Sequence, residues 1–405
     1  MDFPRAITVF FAAFLIYLAA QIYLFIRVRD YARSHVRDEK RRKLLLGLTG
    51  ALFLFMLYPL LWRAFFGFRA YEPYPWPLRG VLAFWVVGSF GASAILLGYD
   101  LFRRLAFRKE SGTISLQRRD FLRKSVGVAA TAPFILSGYG VLLERRRFAV
   151  EHFDLPVNGL SSSLSQLRIV QLTDIHLGPF MPEEELLAYV EAANRLQPDL
   201  VALTGDFVST NSEEIAPCAR ALSQLNARYG VFACLGNHDV YAGAEEELTR
   251  LFGEKGIRML RNEAISVRIK DTVLNVLGID DLRWGTPNLA RALRATKDEP
   301  GEVRLLLSHR PEVFPEAAQK GIEVVLAGHY HGGQVKLGSR PESFSIARLI
   351  TPYAEGLFYL SRRSQSSRTA AKDQVLFVSR GIGITGLPIR INCRPQIAHL
   401  TLRKA

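Results

Sequence analysis

Cysteine is scarce in this sequence, which holds only Cys218, Cys234 and Cys393 among 405 residues and no CxxC pair. An odd count without paired spacing excludes an even-numbered disulfide framework. A single disulfide is an alternative in an oxidising compartment, but three positions define no pairing. We expect buried, unreactive thiols.

Net charge is missing from the larger part of the chain. Residues 151–405 hold 29 Lys+Arg and 29 Asp+Glu, whereas residues 1–150 hold 23 and 9, so the whole net charge of +14 lies in the N-terminal part. A basic groove for nucleic acid needs Lys and Arg clustered in a folded domain. The distribution therefore argues against that partner and points to membrane topology.

Charged residues are also missing from four apolar segments of 19–21 residues. Each is long enough to cross a hydrocarbon core of about 30 Å as a helix. We predict an all-α transmembrane region over 1–147 and a folded domain over 148–405. The predicted helices are 6–26, 44–62, 81–99 and 125–143. The lack of ionisable groups inside them argues against a transport path.

The loops between these segments alternate in charge. Loops 27–43 and 100–124 carry eight Lys+Arg each, and loop 63–79 carries three. Lys- and Arg-rich loops stay in the cytoplasm. We therefore expect the N-terminus and everything after residue 143 on the outer, periplasmic face of the cytoplasmic (inner) membrane.

Aromatic residues flank the outer loop as an interfacial belt would: Trp62, Tyr71, Tyr74 and Trp76. Three arginines at 145–147 oppose this orientation. If the fourth segment fails to insert, the folded domain lies on the cytoplasmic face instead.

A twin-arginine-like motif precedes the fourth segment. Residues 118–124 are Arg-Arg-Asp-Phe-Leu-Arg-Lys, which resembles the signal of proteins exported in folded form and implies the twin-arginine translocase as a partner. The alternative is an ordinary basic flank of a membrane helix. Residues 130–132, Ala-Thr-Ala, resemble a signal-peptidase site, but the apolar run before them is short. We expect the segment to be retained as an anchor.

From residue 167 onward, short apolar runs alternate with amphipathic stretches. The apolar runs predict strands at 168–172, 200–203, 231–235, 265–269, 273–277, 303–307, 324–326, 375–378 and 397–402. Amphipathic spacing predicts helices at 182–196, 213–227, 287–295 and 311–319. This alternation favours an α/β fold with two packed sheets. Residues 361–373 are polar and predict a loop.

Asp, Asn and His residues directly follow several predicted strands, and five of the eight histidines lie there. In an open α/β sheet, ligands gather outside the carboxyl ends of the strands. Imidazoles with carboxylate and amide oxygens suit Mn, Fe, Zn or Co. Seven such ligands exceed the needs of one ion, so we predict two ions that share a carboxylate.

The ordered set Asp-x-His, Gly-Asp, Gly-Asn-His-Asp, His and Gly-His-x-His resembles the calcineurin-like metallophosphoesterase superfamily. The tail, from Ser-Arg-Gly-Ile-Gly at 379–383 to Leu-Pro-Ile-Arg at 387–390, is similar to its membrane-linked, twin-arginine-exported branch. That branch resembles cell-envelope phosphodiesterases and UDP-2,3-diacylglucosamine pyrophosphatases. The resemblance covers about residues 150–405 and implies a four-layer α/β/β/α sandwich.

The resemblance also implies an activity and a ligand set. The activity is hydrolysis of a phosphodiester or pyrophosphate bond, on a lipid or envelope glycolipid, by a hydroxide bound by two metal ions, with manganese favoured. The first ion would take Asp174, His176 and His331, the second Asn237, His309 and His329, and Asp206 would bridge both. His238 would face the substrate as the acid, and Asp239 would hold its ring in the productive tautomer.

Two other patterns have simpler interpretations. Ser308 beside His309 suggests a nucleophile and its base, but neighbours on a strand point to opposite faces. Residues 381–386 match the form of a dinucleotide fingerprint. Neither a predicted helix nor an acidic residue follows them, so we expect a turn near the active site.

Several residues near the predicted ligands have open roles. Arg310 and Tyr330 either contact a substrate phosphate or have packing and surface roles. Asp280 and Asp281 end a strand and suit a turn or a supporting role better than ligation. Residues 353–360 are apolar enough to touch lipid, although core packing is the simpler expectation.

A competing function is a membrane-tethered sensor that binds metal or phosphate without turnover. The pair His238-Asp239 argues against it, because a binding module needs no acid. Measured turnover would separate the two.

Overall fold

The computed structural model describes residues 3–66, 75–106, 116–361 and 373–405. The chain forms two compact units. The first is Met1–Glu144 with Leu387–Ile391, and the second is Arg145–Gly386 with Asn392–Ala405. This division differs from the predicted boundary at 147/148 and assigns a C-terminal segment to the first unit.

Long apolar helices make up the first unit. They are α1 (Phe3–His35), α2 (Glu39–Phe66), α3 (Trp76–Ala106), α4 (Leu116–Ala129) and α5 (Ala132–Leu142). Among the described residues, four stretches are long and apolar enough to cross a membrane: Phe11–His35, Glu39–Pro59, Trp76–Leu105 and Asp120–Arg146. The twin-arginine-like motif at 118–124 lies in α4. Tyr71 and Tyr74 of the predicted aromatic belt lie outside the described residues.

The fourth apolar segment is divided into two helices. Instead of one regular helix over 125–143, α4 ends at Ala129 and α5 begins after Thr131. Pro133 lies in the first turn of α5. Proline lacks an N–H and crowds the preceding turn, so it interrupts a helix interior but is tolerated at a helix start.

Two six-stranded sheets make up the centre of the second unit. The first has the order β1-β12-β2-β3-β4-β5, and the second has the order β10-β11-β9-β8-β7-β6. The strands are β1 (Ala149–Val157), β2 (Arg168–Leu172), β3 (Leu200–Thr204), β4 (Val231–Cys234), β5 (Ile257–Met259), β6 (Glu263–Ile269), β7 (Thr272–Gly278), β8 (Val303–Leu307), β9 (Val324–Ala327), β10 (Gly356–Ser361), β11 (Asp373–Val378) and β12 (Gln396–Lys404). Most of the predicted loop 361–373 lies outside the described residues.

In the described part of this unit, seven α-helices accompany the two sheets. They are α6 (Glu183–Arg195), α7 (Ile215–Leu222), α8 (Asn237–Tyr241), α9 (Glu245–Glu254), α10 (Leu289–Arg294), α11 (Phe314–Gln319) and α12 (Ala347–Ile350). The bounds of α6 agree with the predicted helix 182–196 to within one residue at each end. The predicted helix 213–227 is shorter, since α7 stops at Leu222.

Hydrophobic cores separate four layers. Ile169 of β2 and Leu305 of β8 belong to the core between the sheets. Leu186 of α6 packs with the outer face of the first sheet, and Phe314 of α11 packs with that of the second. The predicted four-layer α/β/β/α fold, preceded by apolar helices, is confirmed.

Parallel strands position the polar loops. β2, β3 and β4 are parallel neighbours in the first sheet, and β7, β8 and β9 are parallel neighbours in the second. The carboxyl ends of parallel neighbours share one sheet edge. The loops that follow β2, β3, β4, β8 and β9 hold all the predicted metal ligands.

Candidate metal centre

The first predicted ligand group is assembled from two sheets. Asp174 and His176 follow β2, whereas His331 follows β9. The Nε2 atoms of His176 and His331 are 3.1 Å apart, and Asp174 Oδ1 lies 3.3 Å from His331 Nε2. All three residues are buried. Their ligating atoms lie close enough together to hold one ion.

The second predicted group lies beside the first. Asp206 Oδ2 is 3.2 Å from His309 Nε2, which is 3.2 Å from His329 Nδ1. These three residues also form a possible metal-binding group. Arg310 connects Asn237 to this group. Its Nη2 donates to Asn237 Oδ1 at 3.1 Å, and its Nη1 lies 2.6 Å from His329 Nε2.

Asp206 connects the two groups. The oxygen that faces His309 also lies 3.5 Å from His176 Nε2. Its other oxygen accepts a hydrogen bond from the His238 N–H at 2.7 Å, which fixes the carboxylate plane. The structure therefore places Asp206 between the two histidine groups, as the bridging role requires.

His238 lies at the edge of this cluster. It forms a third close group with His176 and Asp206, and its ring meets the His176 ring edge-to-face at 4.6 Å between centroids. Its Nδ1 is 2.7 Å from the Ser209 carbonyl oxygen. This contact orients the ring, and Ser209 carried no signal in the sequence.

Asp239 does not hold the His238 ring, so the predicted role is wrong. Its carboxylate accepts four backbone N–H bonds at 2.8–3.3 Å instead, from Gly236, Asp206, Phe207 and Val208. A buried carboxylate needs such partners, and the loops after β3 and β4 present four donors at one point. Asp239 therefore joins these two loops and supports the backbone that carries Asp206.

Backbone strain is concentrated in the ligand loops. Five of the predicted ligands have φ between 48° and 77°: Asp174, His176, Asp206, His329 and His331. Non-glycine residues rarely adopt this conformation, and it persists only where surrounding contacts enforce it. At Gly236, an added Cβ would overlap Asp206, so the absence of a side chain there lets the two loops approach. The strain indicates a functional site.

Hydrogen bonds and burial also prepare individual ligands. His309 Nδ1 donates to the Thr204 carbonyl at 2.8 Å, which leaves Nε2 as the ligating nitrogen. Burial opposes ionisation of Asp206, but His309 and His238 outweigh it and hold the pKa of that carboxyl well below its usual range. Burial, together with Arg310, holds the pKa of the His329 imidazole well below its usual range.

The donor set fits a hard or borderline divalent ion. It consists of carboxylate oxygens, imidazole nitrogens and one amide oxygen.

Cys393 donates from Sγ to the His331 carbonyl oxygen at 3.2 Å and so supports a ligand loop. All three cysteines are buried, and burial raises the pKa of the Cys218 and Cys234 thiols well above the usual range. The expectation of buried thiols is confirmed.

Arg310 and Asp281 form a supporting pair whose role the sequence left open. Arg310 Nε donates to Asp281 Oδ2 at 2.8 Å, while Asp281 Oδ1 accepts the backbone N–H of Arg283 at 3.1 Å and of Trp284 at 2.9 Å. The Asp281 carboxylate thus orients the Arg310 guanidinium beside the ligand cluster and also holds the turn at residues 281–284. Trp284 packs edge-to-face on Tyr241, which does the same with the His238 ring.

The remaining alternatives are resolved by local contacts. Ser308 Oγ donates to the Arg310 carbonyl oxygen at 2.9 Å, so it is not paired with His309. Tyr330 donates a hydrogen bond to the Glu312 carboxylate. Residues 381–386 form an irregular turn without a following helix, and Gly383 N donates to the Asp174 carbonyl at 2.7 Å. A turn beside the site is confirmed.

Known proteins share this domain. The calcineurin-like phosphoesterase family model matches residues 167–333. A transmembrane protein with metallophosphoesterase domain from Danio rerio is 30% identical over 75% of this chain and 68% of its own length. Its counterpart from Bos taurus is 27% identical, over 83% and 76%. An uncharacterized metallophosphoesterase of Aquifex aeolicus is 30% identical, over 66% and 97%. The chain therefore belongs to the calcineurin-like phosphoesterase family, as a metal-binding phosphoesterase with helices able to span a membrane.

Proposed function

We propose that this enzyme hydrolyses a phosphodiester or pyrophosphate bond with two divalent ions, Mn, Fe, Zn or Co, with manganese favoured. The observation that carries the proposal is the position of Asp206 Oδ2, 3.5 Å from His176 Nε2 and 3.2 Å from His309 Nε2. Two ions with a shared carboxylate require such an oxygen. Bound there, they would activate water and offset phosphoryl charge.

The chain's own residues supply the remaining chemistry. His238 lies beside the bridging carboxylate and gives a proton to the leaving oxygen. Arg310 is a fixed positive charge beside Asn237 and His329, placed to contact a phosphoryl oxygen. Asp281 accepts a hydrogen bond from Arg310 Nε, so the Arg310 side chain loses little conformational entropy when it binds substrate.

We further propose a lipid or cell-envelope glycolipid as the substrate, similar to UDP-2,3-diacylglucosamine. Helices of membrane-spanning length and composition precede the catalytic unit, which begins at Arg145. A phosphoester in a bilayer would therefore be locally concentrated near the enzyme.

Topology follows from the charges of the loops. We propose a multi-pass protein of the inner membrane, with the catalytic unit on the periplasmic face and export by the twin-arginine translocase. A reporter that is active only in the periplasm, fused after Ala405, should be active. Replacing both Arg118 and Arg119 with Lys should abolish that activity. An active cytoplasmic reporter at the same position would reverse the orientation.

Turnover tests the activity directly. Full-length protein in detergent with Mn²⁺ should hydrolyse bis(p-nitrophenyl) phosphate, and Asp206→Ala and His238→Ala should each abolish this. His152→Ala, which changes a histidine outside the ligand cluster, should retain it. Unchanged turnover in both site variants would refute the mechanism, and metal binding without any turnover would identify a sensor.

A further inference from the structure

Exposed apolar residues of the second unit are concentrated in one stretch. Among its described residues, the large apolar side chains that are exposed are Leu337 (82%), Phe344 (51%), Ile346 (54%), Leu349 (45%) and Tyr359 (52%). Four of them lie within residues 337–349, here called the apolar loop. Soluble surfaces scatter such residues singly, whereas a contiguous group marks an interaction surface.

The apolar loop has a defined conformation. Leu337 N donates to the Phe344 carbonyl at 3.0 Å, and Arg348 Nε donates to the Pro341 carbonyl at 3.1 Å. Ser345 is buried between the exposed Phe344 and Ile346. Backbone and small residues thus anchor the loop while its large apolar side chains point outward, so their exposure is a property of the fold.

The loop lies against the metal centre. Gly333, two residues after His331, packs so closely on the loop that an added Cβ would lie 2.6 Å from Ser345 Cβ and 3.3 Å from Ala347 Cβ. The turn that carries His331 therefore contacts the loop directly. A partner of the loop is therefore held beside the turn that carries His331.

The chemistry of the loop favours a lipid surface. Arg340 is exposed among the apolar side chains, as is Glu342. An apolar surface that carries a cationic residue suits the boundary between acyl chains and anionic headgroups. The chain also keeps this unit near a bilayer, because α5 ends at Leu142 and the unit begins at Arg145.

We propose that the apolar loop inserts into the bilayer interface, where it brings the phosphoester of a lipid to the metal centre. Insertion itself depends only on the loop and the membrane anchor. The delivery of substrate rests on the proposed function. The two parts are therefore tested separately.

Insertion is measured with the full-length protein in nanodiscs of phosphatidylethanolamine and phosphatidylglycerol. A nitrobenzoxadiazole label is attached to Phe344→Cys and, as a control, to Arg258→Cys, an exposed position on the edge strand β5. Lipids with nitroxides on the acyl chain should quench the label at 344 at least threefold more than the label at 258. Equal quenching would overturn the proposal, as would cross-linking of two copies through position 344.

Delivery is measured with the triple variant Leu337→Ser, Phe344→Ser and Ile346→Ser. It should hydrolyse a fluorogenic phosphodiester lipid in vesicles at least tenfold more slowly than the unchanged protein, with equal activity on bis(p-nitrophenyl) phosphate. Equal loss on both substrates would show that the loop has no role specific to the lipid substrate and would overturn the delivery role, as would full activity on vesicles. If the unchanged protein cleaves neither substrate, the proposed function fails, while the quenching still decides insertion.

Charge gives an independent check. Arg340→Glu should weaken quenching at position 344 when phosphatidylglycerol is present, and much less in neutral vesicles. Arg258→Glu is the matched control, because it makes the same charge change at an exposed residue far from the loop in sequence. Equal effects of the two variants would contradict a role for anionic headgroups.

Discussion

His238 Nδ1 donates a hydrogen bond to the carbonyl oxygen of Ser209, 2.7 Å away. A carbonyl only accepts, so the proton of the neutral ring lies on Nδ1, and Nε2 is the nitrogen that exchanges protons. A backbone atom, which no substitution of Ser209 removes, therefore sets the tautomer.

With Nδ1 held by Ser209, His238 can give a proton to the leaving oxygen only from a protonated Nε2, and its replacement tests that role. His238→Ala should lower kcat by about 10²–10⁴-fold, the usual contribution of a general acid. The bound metal, measured by mass spectrometry of the purified protein, should remain unchanged. His152→Ala controls for the loss of a histidine. A loss of metal in the His238 variant would instead make His238 a ligand, as its position beside His176 and Asp206 allows.

The proposed bridging role of Asp206 predicts a larger defect. Asp206→Asn keeps the shape but removes the charge that faces His176 and His309. We expect the metal content to fall from two ions per chain to one or none, with activity near background. Asp154→Asn, which changes an exposed carboxylate on β1, should retain both. Retention of two ions by Asp206→Asn would contradict a bridge.

Asp281 should act through Arg310. Asp281→Asn weakens the hydrogen bond that orients the guanidinium, and we expect kcat/KM to fall about tenfold, with the metal content unchanged. Arg310→Met should fall at least as far, and the double variant should be no worse than Arg310→Met alone. Arg258→Met serves as the control for lost positive charge. Strictly additive losses would show that the two residues act independently.

Asp239 should matter for stability. Asp239→Ala leaves four buried backbone N–H groups without the acceptor they share, and each unsatisfied group costs about 1–3 kcal/mol. We expect a lowered midpoint of thermal unfolding for the full-length protein in detergent. Asp298→Ala, which removes an exposed carboxylate, should change the midpoint little. An unchanged midpoint for Asp239→Ala would contradict the role assigned here.

Much of the core fold was predictable because apolar periodicity follows burial. The run at 168–172 is β2 itself, and 303–307 is β8. β1 was missed because it alternates irregularly between exposed and buried positions, so its sequence carries no clear period. The break near Thr131 was missed because composition measures hydrophobicity, whereas Pro133 acts through the backbone.

The sequence by itself determined the ligand types and the strand ends at which they lie. Buried strands are recognisable as apolar runs, and the ligands directly follow those runs. Only the tertiary structure decided which partners meet. Asp281 and Arg310 are 29 residues apart, and Asp239 accepts from loops 31–33 residues away. Such contacts depend on which strands are neighbours, and a linear pattern does not contain that distance information. The tertiary structure also decided that the side chains of the apolar loop point outward, because the exposure of a residue depends on what packs around it.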